Sequence, residues 1–192
     1  MQRPWRRASG LVIIALTALC ASAVARADEY AGKWEVGADV LSTTMDNDTT
    51  IKDALGYRVR GAYHLTKTHT FELTYDSSSS DSTVKTSNIS YDLNKIVLSY
   101  LGSFRNKKPD SKVSSYALFG IGKINYDNGE ASDSSTVFQA GGGVRVRFTK
   151  SLAFRIDGRI WHFHGDKFII PNDGFFSFDI AAGVSWFFGK GK

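Results

Sequence analysis

The sequence predicts an all-β fold: an eight-stranded, antiparallel, up-and-down transmembrane β-barrel preceded by a cleaved signal peptide. Three observations predict it, namely apolar alternation in the C-terminal segment, its recurrence upstream, and an export signal at the N-terminus. From Phe176 to Phe188 every second residue is apolar, which is the period of a strand and not of a helix. About ten alternating residues with aromatic ends are enough for a tilted strand to cross a bilayer.

Residues 1–27 have the features of a signal peptide. Three arginines come first, an apolar run covers residues 11–20, and Ala25-Arg26-Ala27 has the small-x-small pattern of a cleavage site. The apolar run is too short for a transmembrane helix, which needs about 20 residues. We therefore predict one mature domain, an outer-membrane β-barrel over residues 28–192.

Removal of the signal peptide changes the charge balance. Four of the 24 Lys and Arg residues and none of the 19 Asp and Glu residues lie in it, so the mature chain has 20 against 19. A net charge of +1 gives no support for nucleic-acid binding. The single cysteine, Cys20, also lies in this segment, which excludes a disulfide in the mature chain.

Seven segments upstream of the last one alternate in the same way. The eight predicted strands lie near residues 32–41, 55–65, 71–76, 86–104, 116–126, 138–148, 152–160 and 174–188. In the fourth, Leu93 has the opposite parity to Ile96 and Leu98, so either a bulge near Asn94 shifts the register or the upper half projects beyond the bilayer. The fifth has apolar residues on both faces, and its register stays open.

The connections alternate between short and long, with the turns after strands two and six very short and that after strand four moderate. The longer ones are rich in Ser, Thr, Asp, Asn and Gly and cover residues 42–54, 77–85, 127–135 and 165–173. Outer-membrane barrels have short periplasmic turns and longer external loops. The serine-rich run 77–82 is predicted to be a mobile loop tip.

Alternation alone does not decide which face meets lipid. A soluble lipocalin-type barrel with an apolar interior is the alternative, and Gly32-Lys33-Trp34 matches the short Gly-x-Trp pattern of that family. Aromatic residues near strand ends, such as Tyr75 and Trp186, suit interfacial girdles instead. The polar faces also carry both charge signs, as a closed interior requires. We therefore predict the membrane arrangement.

Three segments carry a family resemblance: 116–122 (YALFGIG), 141–148 (GGGVRVRF) and 182–188 (AGVSWFF). Over its whole mature length the chain resembles the small outer-membrane β-barrel family that includes the outer-membrane protein A and X barrels. The resemblance implies the cell outer membrane of a Gram-negative bacterium as the location. It also implies a terminal-strand signal, Val184, Trp186 and Phe188, read by the barrel-assembly machinery, although Gly-Lys-Gly-Lys follows Phe188 here.

Twelve charged residues share the polar parity of the strands and are predicted to form a charge network in the lumen. They are Glu35, Asp39, Arg58, Arg60, Glu72, Asp76, Arg145, Arg147, Arg155, Asp157, Arg159 and Asp179. They could form a selectivity lining for ions or solutes. We favour a packed network of ion pairs, because side chains fill the interior of an eight-stranded barrel and buried charges must be paired.

On the seventh strand, Arg155, Asp157 and Arg159 have the same parity. We expect them to point into the lumen, because a lipid-facing Arg at mid-bilayer costs about 2–4 kcal/mol. Their expected partners are acidic residues of the first and last strands: Glu35, Asp39 or Asp179.

Other motifs lack the residues that catalysis, metal binding or phosphate binding would require. His162-Phe163-His164 has no third metal ligand in sight, and a serine nucleophile is missing where lipid A deacylases carry one. Asp46-Asn47-Asp48 and residues 127–130 resemble fragments of calcium loops without the full ligand spacing. Glycines 141–143 lack the context of a phosphate loop and are predicted to relieve crowding. We predict no catalytic residue, no metal and no cofactor.

The sequence thus favours a non-catalytic, monomeric envelope protein with a structural or surface-interaction role through its external loops. The predicted partners are membrane lipid, lipopolysaccharide and the barrel-assembly machinery, with no nucleic acid. A narrow channel for ions or small solutes is the alternative, and an outer-leaflet lipid-modifying enzyme is less favoured.

Overall fold

The structure, a computed structural model, describes residues 31–44, 53–81, 90–105, 111–127, 132–164 and 174–189. Eight antiparallel strands form one closed barrel, each paired with its neighbours in the sequence and β1 with β8. They are β1 (Trp34–Thr44), β2 (Ala54–His64), β3 (His69–Asp81), β4 (Ser90–Arg105), β5 (Val113–Asp127), β6 (Ser132–Arg147), β7 (Leu152–His164) and β8 (Gly174–Phe188). The predicted fold class is confirmed.

Closure depends on the pairing of the first and last strands. β1 and β8 run antiparallel with one register, from Trp34 opposite Phe188 to Thr44 opposite Phe178. Every strand therefore has two partners, so the backbone groups of the sheet are paired internally. This pairing is what a chain needs in hydrocarbon, where no water can replace a missing hydrogen bond.

The apolar face of the barrel is its outer face. On β8, Ile180, Val184 and Trp186 are more than half exposed, whereas Asp179 and Ser185 on the opposite face are buried. The other strands divide their residues in the same way, with large apolar side chains outside and charged ones inside. This arrangement excludes the lipocalin-type alternative, in which the apolar residues would face inward.

Strand β4 keeps one register along its whole length. Its pairing with β3 runs without interruption from His69 opposite Gly102 to Asp81 opposite Ser90. Of the two alternatives for this strand, the bulge near Asn94 is therefore wrong. The parity changes in the sequence because apolar residues, including Leu93 and Val97, enter the lumen in the upper half of the strand.

Strand β5 has two apolar faces because it borders both lipid and an apolar part of the lumen. Phe119 and Ile121 are exposed on the outer face, and Leu118 and Ile124 are buried on the inner face.

The serine run after Asp76 is part of a strand. Residues 77–81 belong to β3 and pair with residues 90–94 of β4, and Ser79 Oγ donates a hydrogen bond of 2.8 Å to Asp92. The prediction of a loop tip is wrong for these residues, because cross-strand pairing outweighs their low strand propensity. Residues 132–135, expected in a connection, likewise belong to β6.

Several predictions fall outside the described residues. These are the signal peptide, the motif Asp46-Asn47-Asp48, residues 128–130 and Ser82. Within the described part of the chain, no helix has the length and apolar character to cross a membrane.

Candidate functional site

The lumen contains the charged residues that the sequence placed there. Eleven of the twelve are buried inside the barrel, and Arg147 is half-buried where β6 ends. An additional cation, Lys95 of β4, is buried among them. With Lys95, the buried set contains six cations and six anions, and we call these twelve residues the charged layer. The buried cations are Arg58, Arg60, Lys95, Arg145, Arg155 and Arg159, and the anions are Glu35, Asp39, Glu72, Asp76, Asp157 and Asp179.

The carboxylate of Asp157 is the centre of this network. It accepts hydrogen bonds from Arg58 Nη1 at 2.9 Å, and from Arg155 Nε and Arg159 Nε at 3.0 Å each. Tyr116 OH donates a fourth at 2.9 Å. Strands β2, β5 and β7 thus meet at one acidic side chain, whose charge compensates three guanidinium groups only in part.

The other acidic partner of these arginines lies across the lumen. Glu72 of β3 accepts hydrogen bonds from Arg155 Nη1 at 2.5 Å and from Arg159 Nη2 at 2.9 Å. Strands β3 and β7 are four positions apart in a ring of eight, so they are opposite one another. The interior of an eight-stranded barrel is narrow enough for a long arginine side chain to cross it.

Of the three alternative partners predicted for β7 on the first and last strands, Glu35 is found and Asp39 and Asp179 are not. Only Glu35 approaches one of these arginines, with 3.7 Å between Arg155 Nη1 and Glu35 Oε1. Asp39 instead pairs with Arg60, and Asp179 pairs with cations of β2 and β4. The prediction considered strands near β7 in the ring and did not consider the opposite wall.

Lys95 joins the charged layer to an aromatic residue. Its Nζ lies 2.7 Å from Asp179 Oδ2 and 3.2 Å from Asp76 Oδ2. The same ammonium group is 4.4 Å from the centre of the Trp161 ring, whose Nε1 donates to Asp179 at 2.8 Å. The parity of Ile96 and Leu98 places Lys95 on the inner face, a signal that the irregular upper half of the strand obscured.

A smaller polar cluster lies towards the chain termini, around Glu35. His64 Nε2 and Arg145 Nη2 are each 3.0 Å from Glu35 Oε2, and Ser185 Oγ donates to Oε1 at 2.6 Å. The other ring nitrogen of His64 is 2.9 Å from Thr70 Oγ1. All these side chains are buried, so this end of the lumen is also filled.

The opposite end of the lumen is apolar. Buried side chains of β2 and β4–β7 pack there in one cluster. Its members are Ala54, Leu93, Val97, Ile124, Tyr126, Val137, Trp161 and Phe163. The rings of Trp161 and Phe163 are stacked, with centres 5.3 Å apart. The sequence predicts a filled polar interior and does not reveal this apolar end, because period alone cannot separate the apolar inner residues of β4 and β5 from lipid-facing ones.

Two glycines of β6 make room for the charged layer. A Cβ atom at Gly143 would clash with the Tyr116 hydroxyl and the Ile156 carbonyl, and one at Gly141 would clash with the Gly158 carbonyl. Both glycines lie on the inner face. Their position agrees with the prediction that they relieve crowding.

The residues of the histidine motif lie on different faces. His162 faces outward, with its ring centre 4.5 Å from that of Phe176, whereas Trp161 and Phe163 face inward. The side chain of His164 is outside the described residues. No group of three or more His, Cys, Asp or Glu side chains within the described ranges is placed to hold a metal ion.

The residues of the predicted assembly signal form part of the lipid-facing surface. Val184, Trp186 and Phe188 all point outward from β8, and the last two rings are 5.7 Å apart. They lie next to β1, at the seam that closes the barrel. Recognition of this strand by the assembly machinery stays a prediction.

An apolar outer face around a charged interior defines an integral membrane β-barrel. The chain belongs to the family described as the outer membrane protein beta-barrel domain, whose model matches residues 11–188. It is thus a protein of the outer membrane of the Gram-negative envelope, as the sequence predicted.

Solved structures show the same fold. The chain is 18% identical to Neisserial surface protein A, covering 81% of this chain and 96% of that one with a TM-score of 0.55. It is 13% identical to the outer membrane protein AlkL, with coverage of 86% and 94% and a TM-score of 0.54. For OprG of Pseudomonas aeruginosa the identity is 11%, the coverage 85% and 99%, and the TM-score 0.51. A comparison with curated protein sequences gave no match.

Proposed function

We propose that this protein is a non-catalytic, monomeric and non-conducting barrel that anchors polar external connections in the outer membrane. Its role is then structural or one of surface interaction, with lipopolysaccharide as the nearest partner. The observation that carries the proposal is the charged layer, in which six buried cations and six buried anions are joined by direct ion pairs.

The charged layer closes the lumen for energetic as well as steric reasons. The side chains of Arg58, Arg155 and Arg159 are fully buried and cross the interior to their partners. Removing one partner of a buried ion pair costs about 3–5 kcal/mol. A permeating ion would have to break several such pairs and then pass the apolar cluster, whose side chains are poor substitutes for its hydration shell.

The same network supports a non-catalytic role. A general acid, base or nucleophile must reach a substrate, whereas the carboxylates of Asp157 and Glu72 are buried and engaged by arginines.

Planar-bilayer recording tests the closed lumen. We expect no steady single-channel steps from the wild-type protein. The charge-neutral double variant Glu72→Ala/Arg155→Ala removes the contact across the lumen and should produce measurable steps. The matched control, Glu72→Gln/Arg155→Met, keeps the volume of both side chains and should stay closed. Steady steps from the folded wild-type protein would overturn the proposal.

A narrow channel is the second candidate, and one observation favours it. Among the described residues, Arg60 Nε, Arg159 Nη1 and Gln139 Oε1 are buried without a hydrogen-bond partner. Buried polar atoms of this kind are commonly satisfied by water. A chain of such sites would form a hydrated path through the charged layer, and wild-type conductance would then be the expected result.

The surface role needs a separate test in cells. Deletion of the gene should weaken the envelope barrier or reduce binding of the cell surface to its targets. Re-expression of the wild-type protein should restore the property that was lost. The non-conducting control variant above should restore it equally, since its external surface is unchanged. Unchanged envelope integrity and surface binding after deletion would count against this role.

A further inference from the structure

The three turns at the end of the barrel where the termini lie share a two-residue pattern. Each turn contains a hydroxyl residue followed by lysine. The pairs are Thr66-Lys67, Ser111-Lys112 and Thr149-Lys150. All three lysines are exposed. Since short turns of outer-membrane barrels are periplasmic, these lysines lie at the inner leaflet.

The hydroxyl groups organise the turns on which the lysines stand. Thr66 Oγ1 accepts hydrogen bonds from the backbone N–H groups of Thr68 at 3.2 Å and His69 at 3.0 Å. Thr149 Oγ1 accepts the equivalent pair from Ser151 at 3.2 Å and Leu152 at 3.0 Å.

In the remaining turn, which contains Ser111, the Oγ atom of this residue accepts a hydrogen bond of 3.3 Å from the Val113 N–H. The hydroxyl thus bonds the backbone in all three turns, and the lysine that follows it is exposed in each.

Charge is separated between the two ends of the molecule. We call the cations at the periplasmic end the basic rim, which consists of Lys33, Lys67, Lys112, Arg147 and Lys150. The turn residues described at this end include no Asp or Glu. The acidic side chains described at the external end, excluding the lumen, are Asp53, Asp92 and Asp127, against one described cation, Lys123. The described lumen between them is neutral, so among the described residues one end of the barrel is positive and the other is negative.

The basic rim borders a girdle of outward aromatic side chains. Trp34 and Tyr63 have ring centres 4.8 Å apart, and Tyr100 and Phe119 have ring centres 5.3 Å apart. Trp186 extends the girdle on β8 and is 57% exposed. Aromatic girdles mark the headgroup level of a membrane protein. The cations beside the girdle therefore lie at the depth of the phospholipid phosphates.

We propose that the basic rim and the adjoining girdle bind anionic phospholipid headgroups of the inner leaflet in preference to zwitterionic ones. Lysine is a flexible point charge that attracts phosphate, and each basic residue near an anionic membrane adds to the attraction. The aromatic side chains beside these cations offer an apolar surface to the acyl chains of the same lipid. This inference goes beyond the proposed function, since it holds whether or not the lumen conducts.

Two tryptophans allow the lipid preference to be measured beside the basic rim. Trp34 and Trp186 face lipid at this girdle, whereas Trp161 is 2% exposed and lies inside the barrel. Trp5 belongs to the predicted signal peptide. Brominated lipids quench tryptophan only on contact, so quenching of the protein purified from outer membranes reports the lipids beside the basic rim. Mixtures of brominated phosphatidylcholine with unbrominated phosphatidylglycerol, and of the reverse pair, give the relative binding constant of the two lipids.

We expect phosphatidylglycerol to be preferred roughly two- to fivefold at low salt, and the preference to fall towards one at high salt because the charges are screened. The variant Lys67→Gln/Lys112→Gln/Lys150→Gln should lower the ratio to about one. The single variants Lys150→Gln and Lys123→Gln each remove one exposed cation, the first at the basic rim and the second towards the external end, and only the first should lower the ratio.

Three results would overturn the proposal. They are a wild-type ratio of one at low salt, a ratio that does not respond to salt, and an equal loss in the variants Lys150→Gln and Lys123→Gln. The salt series uses only the wild-type protein, so the proposal stays testable if the first variant fails to fold.

Discussion

At the residue scale, the interior depends on a few side chains that each have several partners. Asp157 compensates Arg58, Arg155 and Arg159 at once, and Glu72 shares two of these arginines from the opposite wall. A carboxylate in such a position stabilises the barrel mainly because its absence would leave guanidinium groups buried without compensation.

The first prediction at this scale is that Asp157→Ala destabilises the barrel by up to about 3–5 kcal/mol, because it leaves buried positive charge unpaired. Denaturant titration of folding in lipid vesicles measures the change. The control Asp92→Ala removes an exposed carboxylate that accepts one hydrogen bond from Ser79, and should change stability by less than about 0.5 kcal/mol. Equal midpoints for wild type and Asp157→Ala would contradict this account of the charged layer.

A second prediction concerns space rather than charge. Gly143→Ala places a methyl group against the Tyr116 hydroxyl and the Ile156 carbonyl, and should cost about 1–3 kcal/mol as overpacking. Gly61→Ala is the matched control, because a Cβ atom there meets no atom within 4 Å. The same vesicle titration should show no loss for this control, and a stable Gly143→Ala barrel would mean that the inner wall can move aside.

At the element scale, the strands differ in what their two faces meet. β8 separates an apolar outer face from a polar inner one, whereas β4 and β5 are apolar on both sides near their external ends, where they contribute to the cluster around Trp161. Long strands can therefore extend beyond the bilayer and still enclose an apolar core in the lumen of the barrel. The outward polar residues Asp92 and Asn125 suit such an extension.

The last strand yields a prediction about assembly. Phe188→Ala should lower the fraction of protein folded in the outer membrane, because it removes the terminal aromatic residue of the predicted signal. Heat-modifiable migration in gels measures the folded fraction. Phe176→Ala, on the same face of β8 but at its other end, is the control and should fold nearly as well. Equal folding of both variants in cells would argue against a signal at Phe188.

At the scale of the whole molecule, the barrel has three zones along its axis. A basic rim lies at the periplasmic end, and the charged layer, whose positive and negative charges are equal in number, fills the middle. An apolar cluster fills the lumen towards the acidic external end. The conductance recording tests the charged layer and the apolar cluster, which fill the lumen. The brominated-lipid measurement tests the basic rim. The two tests are independent, because the lumen side chains and the turn lysines face different surroundings.

The sequence by itself determined the strand number, the inner and outer faces, and eleven of the buried charged residues. It could do so because a strand has a period of two and a barrel has only an inside and an outside. It misjudged β4, where the apolar Leu93 faces inward and Lys95 was not recognised.

Only the tertiary structure decided which charges meet. Glu72 and Arg155 are 83 residues apart and lie on opposite walls, so neither parity nor neighbouring strands could pair them. Their contact arises from the width of the closed barrel, which equals the reach of two long side chains and is a property of no single strand.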